Sequence, residues 1–181
     1  MKANSLRELY LGELRDLYDA EHQIIKALPK MISKVSSEEL KSALNEHLDI
    51  TRQQAERLEQ IFQNLGEKAK AEKCAGMEGV IKEGNELLKD VDDEDVRDAA
   101  IISAAQKVEH YEMAGYGTAR TWASLLGEQD AADLLEETLN EEKEADQKLT
   151  DISESINVEA GEGEVTKTSP SRRASRPRRV A

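Results

Sequence analysis

Several carboxylates in this sequence sit where an apolar side chain is expected. Glu21 lies on the stripe Leu17–Glu21–Ile24–Leu28, and Glu112 lies on Val108–Glu112–Tyr116–Ala119. Glu109 is at the edge of that second stripe, one turn from Glu112. Glu142 falls on Leu135–Leu139–Glu142–Leu149, with Asp146 one turn further on, and His47 shares a face with Thr51 and Gln54. Helical charges normally face water, and burying one unpaired carboxylate costs several kcal/mol even after relaxation. Several in one cavity must protonate, pair with Lys or Arg, or bind a cation. No Lys or Arg falls on the inward stripes at that depth, so a cation is the expected partner. Carboxylates with a single imidazole suit iron or manganese better than structural zinc, which favours Cys and His. The competing reading puts these acids at helix edges, solvated or hydrogen-bonded to Tyr18, Tyr111 and Tyr116. One inward Glu would be read that way; four at a common depth favour a metal, because clustered titratable groups mark sites. The expected ligands are Glu21, His47, Glu109, Glu112, Glu142 and Asp146, around one or two ions of Fe or Mn.

Other candidates carry less. Asp19-x-x-His22 has ligand spacing, but its face also holds Arg15 and Lys26 and is expected to be solvent-exposed. His110, beside Ser103, Ala114 and Gly117, is expected to pack or to support the site rather than to ligate. Cys74 has no CxxC partner, and no basic neighbour beyond Lys73, to make it a nucleophile. No phosphate loop and no Ser/His/Asp arrangement is present.

Four long amphipathic segments must position these residues. In the first, Leu6, Leu9, Leu17, Ile24, Leu28 and Met31 recur at helical spacing. Ser5 with Glu8 forms a capping box, and Pro29 should kink or end the helix near its last turns. The second runs from about Ser37 to Leu65, with Ser36 and Glu39 as its capping box and Gly66 at the left-handed cap position. The third follows the acidic stretch VDDED and ends at Gly127; the fourth covers about Glu128 to Ile156. Short turns make each consecutive pair antiparallel. The roughly 30 residues from Gly66 to Asp95 hold a short helix around Met77, Val80 and Ile81, and can cross the bundle to set helices two and three parallel. That is a ferritin-like topology: all-α, a four-helix bundle with a long crossover containing a short extra helix. The turns also fix depth. Glu21 is 14 residues before Val35, which puts Asp49 or Ile50 opposite it, and Glu112 and Glu142 each lie 15 residues from Gly127. All fall near mid-bundle.

Composition agrees with helices. Charged residues make up 35% of the 181, with only 10 Gly and 3 Pro, and Ala, Leu, Glu, Lys and Gln lose little freedom in a helix. Aromatics at 3% argue against a β-sandwich or barrel. One cysteine forbids an internal disulfide and fits a reducing compartment. The N-terminus lacks an apolar signal region, and no apolar run approaches a membrane span. A cytoplasmic protein without membrane association is expected. The net charge of −13 is uneven: six bases and no acid lie within residues 167–181, which leaves the first 166 residues at −19. That body repels nucleic acid and attracts cations. From Asn157 the apolar period stops, so the chain divides into a bundle, residues 1–156, and a disordered basic tail, residues 157–181.

The runs AEHQIIKALPKM (20–31), HLDITRQQAERLE (47–59), KCAGMEGVIKEG (73–84), RDAAIISAAQKVEHYEMAGYGT (97–118) and LLEETLNEEKEADQKL (134–149) together resemble the YciF/YciE family of ferritin-like, stress-associated bacterial proteins. The resemblance covers nearly all of residues 5–156 and stops at the tail. It implies a ferritin-like bundle, a homodimer, and a di-iron or di-manganese centre. Ferritin-like di-metal sites usually place Glu-x-x-His on two helices. This chain instead offers Glu142 with Asp146 on its last helix, and His47 with no inward Glu on its second, where the family often carries an acid at the position of Ile50.

Two functions follow. In the first, a metal-dependent redox protein acts on Fe(II), oxygen or peroxide, with Tyr18 and Tyr116 supporting the ligands. In the second, a non-enzymatic dimeric scaffold keeps a degenerate site, and its basic tail makes weak contact with nucleic acid or another polyanion.

Overall fold

Five α-helices make up most of the described residues, 3–167: α1 (Leu6–Ile32), α2 (Glu38–Asn64), α3 (Ala75–Leu87), α4 (Glu94–Leu125) and α5 (Gln129–Lys167). They come from a computed structural model. Ser5 caps α1 by accepting the Glu8 N–H at 3.2 Å. Pro29 lies in the last turns of α1, and the helix stops three residues beyond it. Gly66 and Gly127 follow α2 and α4 with φ of 69° and 80°, the left-handed conformation that glycine adopts without Cβ strain.

The cap of α2 corrects the sequence reading. Ser37, not Ser36, accepts the Leu40 N–H. The buried Asp98 carboxylate on α4 accepts the backbone N–H groups of Ser36 and Ser37 at 3.0 and 2.7 Å. A contact made across the bundle thus sets the cap one residue later.

α1 packs on α2 and α4, and α5 packs on α4 and α2. Arg7 at the start of α1 reaches Glu128 beyond the end of α4, while the Ser37 N–H meets Asp98 near the start of α4. Helices α1 and α4 are therefore antiparallel, and α2 and α4 are parallel, as the long crossover requires. Asp19 anchors that crossover by accepting the Cys74 N–H at 2.8 Å. Gly115 lets α1 approach α4, since a Cβ there would stand 2.7 Å from Leu17 Cδ2.

The fourth bundle helix runs past the boundary read at residue 156 and continues to Lys167. Asn157, Val158 and Glu159 are exposed. An established helix can propagate without an apolar face, because each added residue gains a hydrogen bond without a new nucleation cost. Residues 168–181, with nearly all of the basic tail, lie outside the described residues. No helix among the described residues is long and apolar enough to cross a membrane.

The core divides in two. One apolar cluster gathers Ile24, Leu28, Leu44, Leu48, Met77 and Ile101 among others; the second gathers Tyr10, Leu14, Phe62, Tyr116, Leu135 and their neighbours. A polar layer at mid-bundle lies between them.

Candidate metal centre

All four long helices contribute to that layer. Glu21 on α1, His47, Thr51 and Gln54 on α2, Glu109 and Glu112 on α4, and Glu142 on α5 are all buried. One ligand atom from each of His47, Glu109, Glu112 and Glu142 lies within 4.8 Å of all the others. Donors on opposite sides of one first-row ion at ~2.1 Å are ~4.2 Å apart, so these four are within a small contraction of sharing an ion. Both ring nitrogens of His47, both oxygens of Glu112, one oxygen each of Glu21, Glu109 and Glu142, and Gln54 Oε1 are buried without a hydrogen-bond partner. Buried polar atoms are nearly always satisfied. Lone pairs orphaned together in one layer fit a cation.

Electrostatics without a cation support this. Burial pushes the Glu21, Glu109 and Glu112 carboxyls well above the ordinary range, and their mutual repulsion and that of Glu142 add to the shift. Burial raises Glu142 to about 7, with hydrogen bonds from Glu109 and Gln54 pulling back. Burial lowers His47 to about 4, so its imidazole is neutral and able to ligate. With a neutral ring, the 3.4 Å between His47 Nε2 and Glu109 Oε1 is not an ion pair but the spacing of two donors that can face one ion.

The layer is braced from the α2–α5 seam. Gln54 Nε2 donates to Glu142 Oε1 and to Glu141 Oε2, the latter at 3.0 Å. Arg57, one turn on, donates to both oxygens of Glu141 at 2.8 and 3.0 Å and to Thr138 Oγ1 at 2.7 Å. On α4, the buried Tyr116 hydroxyl donates to Glu21.

The structure brings five of the six expected ligands into this layer: His47, Glu109, Glu112 and Glu142 share the tight cluster, and Glu21 stands beside it on Tyr116. Asp146 is elsewhere. It is half-buried at the rim, 3.3 Å from Gln106 Nε2 and 3.4 Å from His110 Nε2. One turn along α5 from Glu142 carries the side chain outward. Tyr18 also does not support the ligands, because its hydroxyl donates to Glu59 at 2.5 Å on the outer side of α1. His110 is exposed rather than packed, and Asp19 and His22 are half-buried against the crossover. Cys74 is buried, caps α3 and lies 3.1 Å from Tyr111 Oη; burial raises its thiol, which leaves it a poor nucleophile.

The expectation that no Lys or Arg stands at this depth needs one correction, Arg57. It is mostly buried at the seam, but Glu141 and Glu137 take its charge, which leaves the inner carboxylates without a cation of their own. The bracing by Arg57, Glu141 and Thr138 was not read from the sequence. Arg57 follows Gln54 by three residues and Glu141 directly precedes Glu142, but the α2–α5 register is set by no turn, and no spacing along the chain announces it.

Comparison with known proteins agrees with this architecture. Residues 5–161 match a family described as a domain of unknown function, DUF892. The chain belongs to the DUF892 family. It is 46% identical over 154 residues to the protein YciF of Escherichia coli (strain K12), covering 84% of this chain and 93% of that one. The crystal structure of that E. coli stress protein superposes on this DUF892 chain with a TM-score of 0.82 at 44% identity, covering 85% and 98% of the two. YcfI from Rhodopseudomonas palustris gives 0.80 at 46% identity, covering 81% and 94%. The YciF/YciE resemblance read from the sequence therefore holds. A two-domain protein from Anabaena variabilis, with DJ-1/ThiJ/PfpI-like and ferritin-like domains, matches at a TM-score of 0.55 and 16% identity over 98% of this chain and 42% of that one. That match concerns the fold alone, which is ferritin-like.

Proposed function

We propose that this chain is a cytoplasmic stress-response metalloprotein that binds Fe or Mn at the mid-bundle layer and acts on Fe(II), oxygen or peroxide. The observation that carries the reading is the set of orphaned donor atoms on His47, Glu109, Glu112, Glu142 and Glu21, buried in one layer between two apolar clusters. His47, Glu109, Glu112 and Glu142 would hold the first ion. Glu21 and Glu112 would hold a second ion, more weakly served because α2 supplies no inward carboxylate. A bound metal would supply one-electron redox chemistry: two Fe(II) oxidised to Fe(III) reduce one peroxide to two waters, with two protons consumed. The chain's own part is to exclude bulk water, to present neutral His47, and to release carboxyl protons from Glu109, Glu112 and Glu142 as the ion binds. Tyr116 fixes Glu21, Gln54 fixes Glu142, and Arg57 holds the neighbouring Glu141. The stress role rests on likeness to E. coli YciF, and a homodimer on the family resemblance.

The test is metal content. Protein purified without added metal should carry Fe or Mn by elemental analysis or take it up on titration, and Glu112→Ala should lower the stoichiometry. If neither protein binds metal, the dimeric scaffold with a degenerate site and a polyanion-binding tail takes its place.

A further inference from the structure

A cleft between α2 and α5, with a volume of about 260 Å³, runs from solvent to the metal layer, and its inner end is formed by His47 and Glu109. Its walls are apolar: Ala43, Leu44, Ile50, Ala145 and Leu149. Its mouth is acidic. Glu46, Glu141 and Glu144 stand there with Lys148 as the single base, and the Lys148 ammonium pairs with Glu46 across the opening. Glu141 is held by Arg57. Glu144 has no such pair among the described residues and is exposed. On the other side of the same two residues, a second cavity against α3 has only about 30 Å³ and mainly apolar walls such as Leu28, Val80 and Val108. That is room for about one water.

We propose that the α2–α5 cleft is the route by which a divalent cation reaches the metal centre, with Glu144 drawing it to the mouth and the Glu46–Lys148 pair closing across it. The inference rests on the metal reading above. Three observations support it. The inner end is closed by His47 and Glu109, side chains only 6% and 1% exposed, which carry orphaned donors: both nitrogens of His47 and Glu109 Oε2. The volume exceeds the ~180 Å³ of six waters around a hydrated ion, whereas the opposite cavity would require the ion to be stripped first. Apolar walls give the ion no resting place between mouth and centre, so transfer is not trapped part-way.

The experiment is stopped-flow mixing of the metal-free full chain with Co(II), whose visible absorption reports ligation. Ala145→Phe places a ring in the cleft and should slow loading at least tenfold while final stoichiometry stays that of the parent. Glu144→Lys should slow loading on the order of fivefold at ~0.1 M salt, for a divalent ion passing within roughly 7 Å of a charge changed by two units, and the difference should fade near ~1 M salt. Glu154→Lys, ten residues or ~15 Å further along α5, is the control and should load like the parent. If Ala145→Phe fails to fold, Glu144→Lys against Glu154→Lys decides. Parent-like loading in a folded Ala145→Phe protein, or equal rates for the two lysine variants, overturns the route while leaving the metal centre intact. A parent that binds no Co(II) removes the metal reading and the route with it.

Discussion

Glu142→Gln should stabilise the metal-free protein and weaken the metal-bound one. Burial raises the Glu142 carboxyl from its ordinary 4.5 to about 7. A group whose folded-state value is raised contributes fully below its unfolded value, and that contribution is lost as pH rises through the folded one. For Glu142 the loss falls between about pH 4.5 and 7 and is complete near pH 8. At ~1.4 kcal/mol per pH unit, keeping this carboxylate charged inside the apoprotein at pH 8 costs on the order of 3 kcal/mol. Glutamine has the same shape and no charge, and its carbonyl can accept the Gln54 Nε2 hydrogen bond that Glu142 Oε1 accepts now. In chelator at pH 8 the variant should therefore melt roughly 6–12 °C above the parent, at ~2–4 °C per kcal/mol for a chain of this size. At pH 4 the two should melt together, because the carboxyl is then neutral in both states. His47 titrates in the opposite sense, its folded value lowered to about 4, but it does so in both proteins and cancels in the difference. Adding Mn(II) at a thousandfold excess over Kd should reverse the order at pH 8: the parent gains about 4.1 kcal/mol, more than the ~3 kcal/mol by which the variant leads in chelator, and the variant gains little. Scanning calorimetry at pH 4, 6 and 8, with chelator and with Mn(II), reads all of this. A variant that melts below the parent in chelator at pH 8, or whose advantage is the same at pH 4, would refute the argument that Glu142 is held charged against its burial. Equal Mn(II) stabilisation of both proteins would remove Glu142 from the ligands.

Two further outcomes are expected. Ile50 is half-buried on the cleft wall, one turn from His47, so Ile50→Glu should cost about 1 kcal/mol in chelator, part of the value of a fully buried side chain. With Mn(II) it should show a larger rise in Tm and a higher metal stoichiometry than the parent; an equal loss with and without metal makes Ile50 ordinary wall. Deleting residues 167–181 removes six bases and should abolish weak DNA retention whose log affinity falls with log salt at a slope near −5; unchanged retention at low salt ends that proposal.

The fold was legible because its signals are local. Ser5, Gly66 and Gly127 each act within one turn of their own helix, and the short connections force antiparallel pairs whatever the side chains do. Depth was legible for the same reason: equal counts from Gly127 place Glu112 and Glu142 at one level. Azimuth around a helix was harder. Asp146 follows Glu142 by four residues, which shifts a side chain ~40° and one turn along the axis, and here that suffices to take it out to Gln106 and His110. The same limit applies to Ile50. It lines the same cleft as His47 and Glu109, yet it lies at the edge of the α2 face that His47, Thr51 and Gln54 bury.

What remained illegible depends on contacts between helices that no turn joins. Asp98 moves the α2 cap from 61 residues away. Arg57 reaches Thr138 and Glu141 across 81 and 84 residues. Each looks like a solvent-facing charge when its own helix is read alone, as most helical charges are. The inward glutamates were visible for the converse reason: an acid on a continuous apolar stripe contradicts its own helix, and that contradiction needs no partner to be noticed. The candidate ligands of this chain are thus announced locally, while the side chains that hold them in place appear only once α2 and α5 are packed together. Substitutions at Gln54 should then act through Glu142 directly and those at Arg57 through Glu141 beside it, changing metal affinity without removing a candidate ligand.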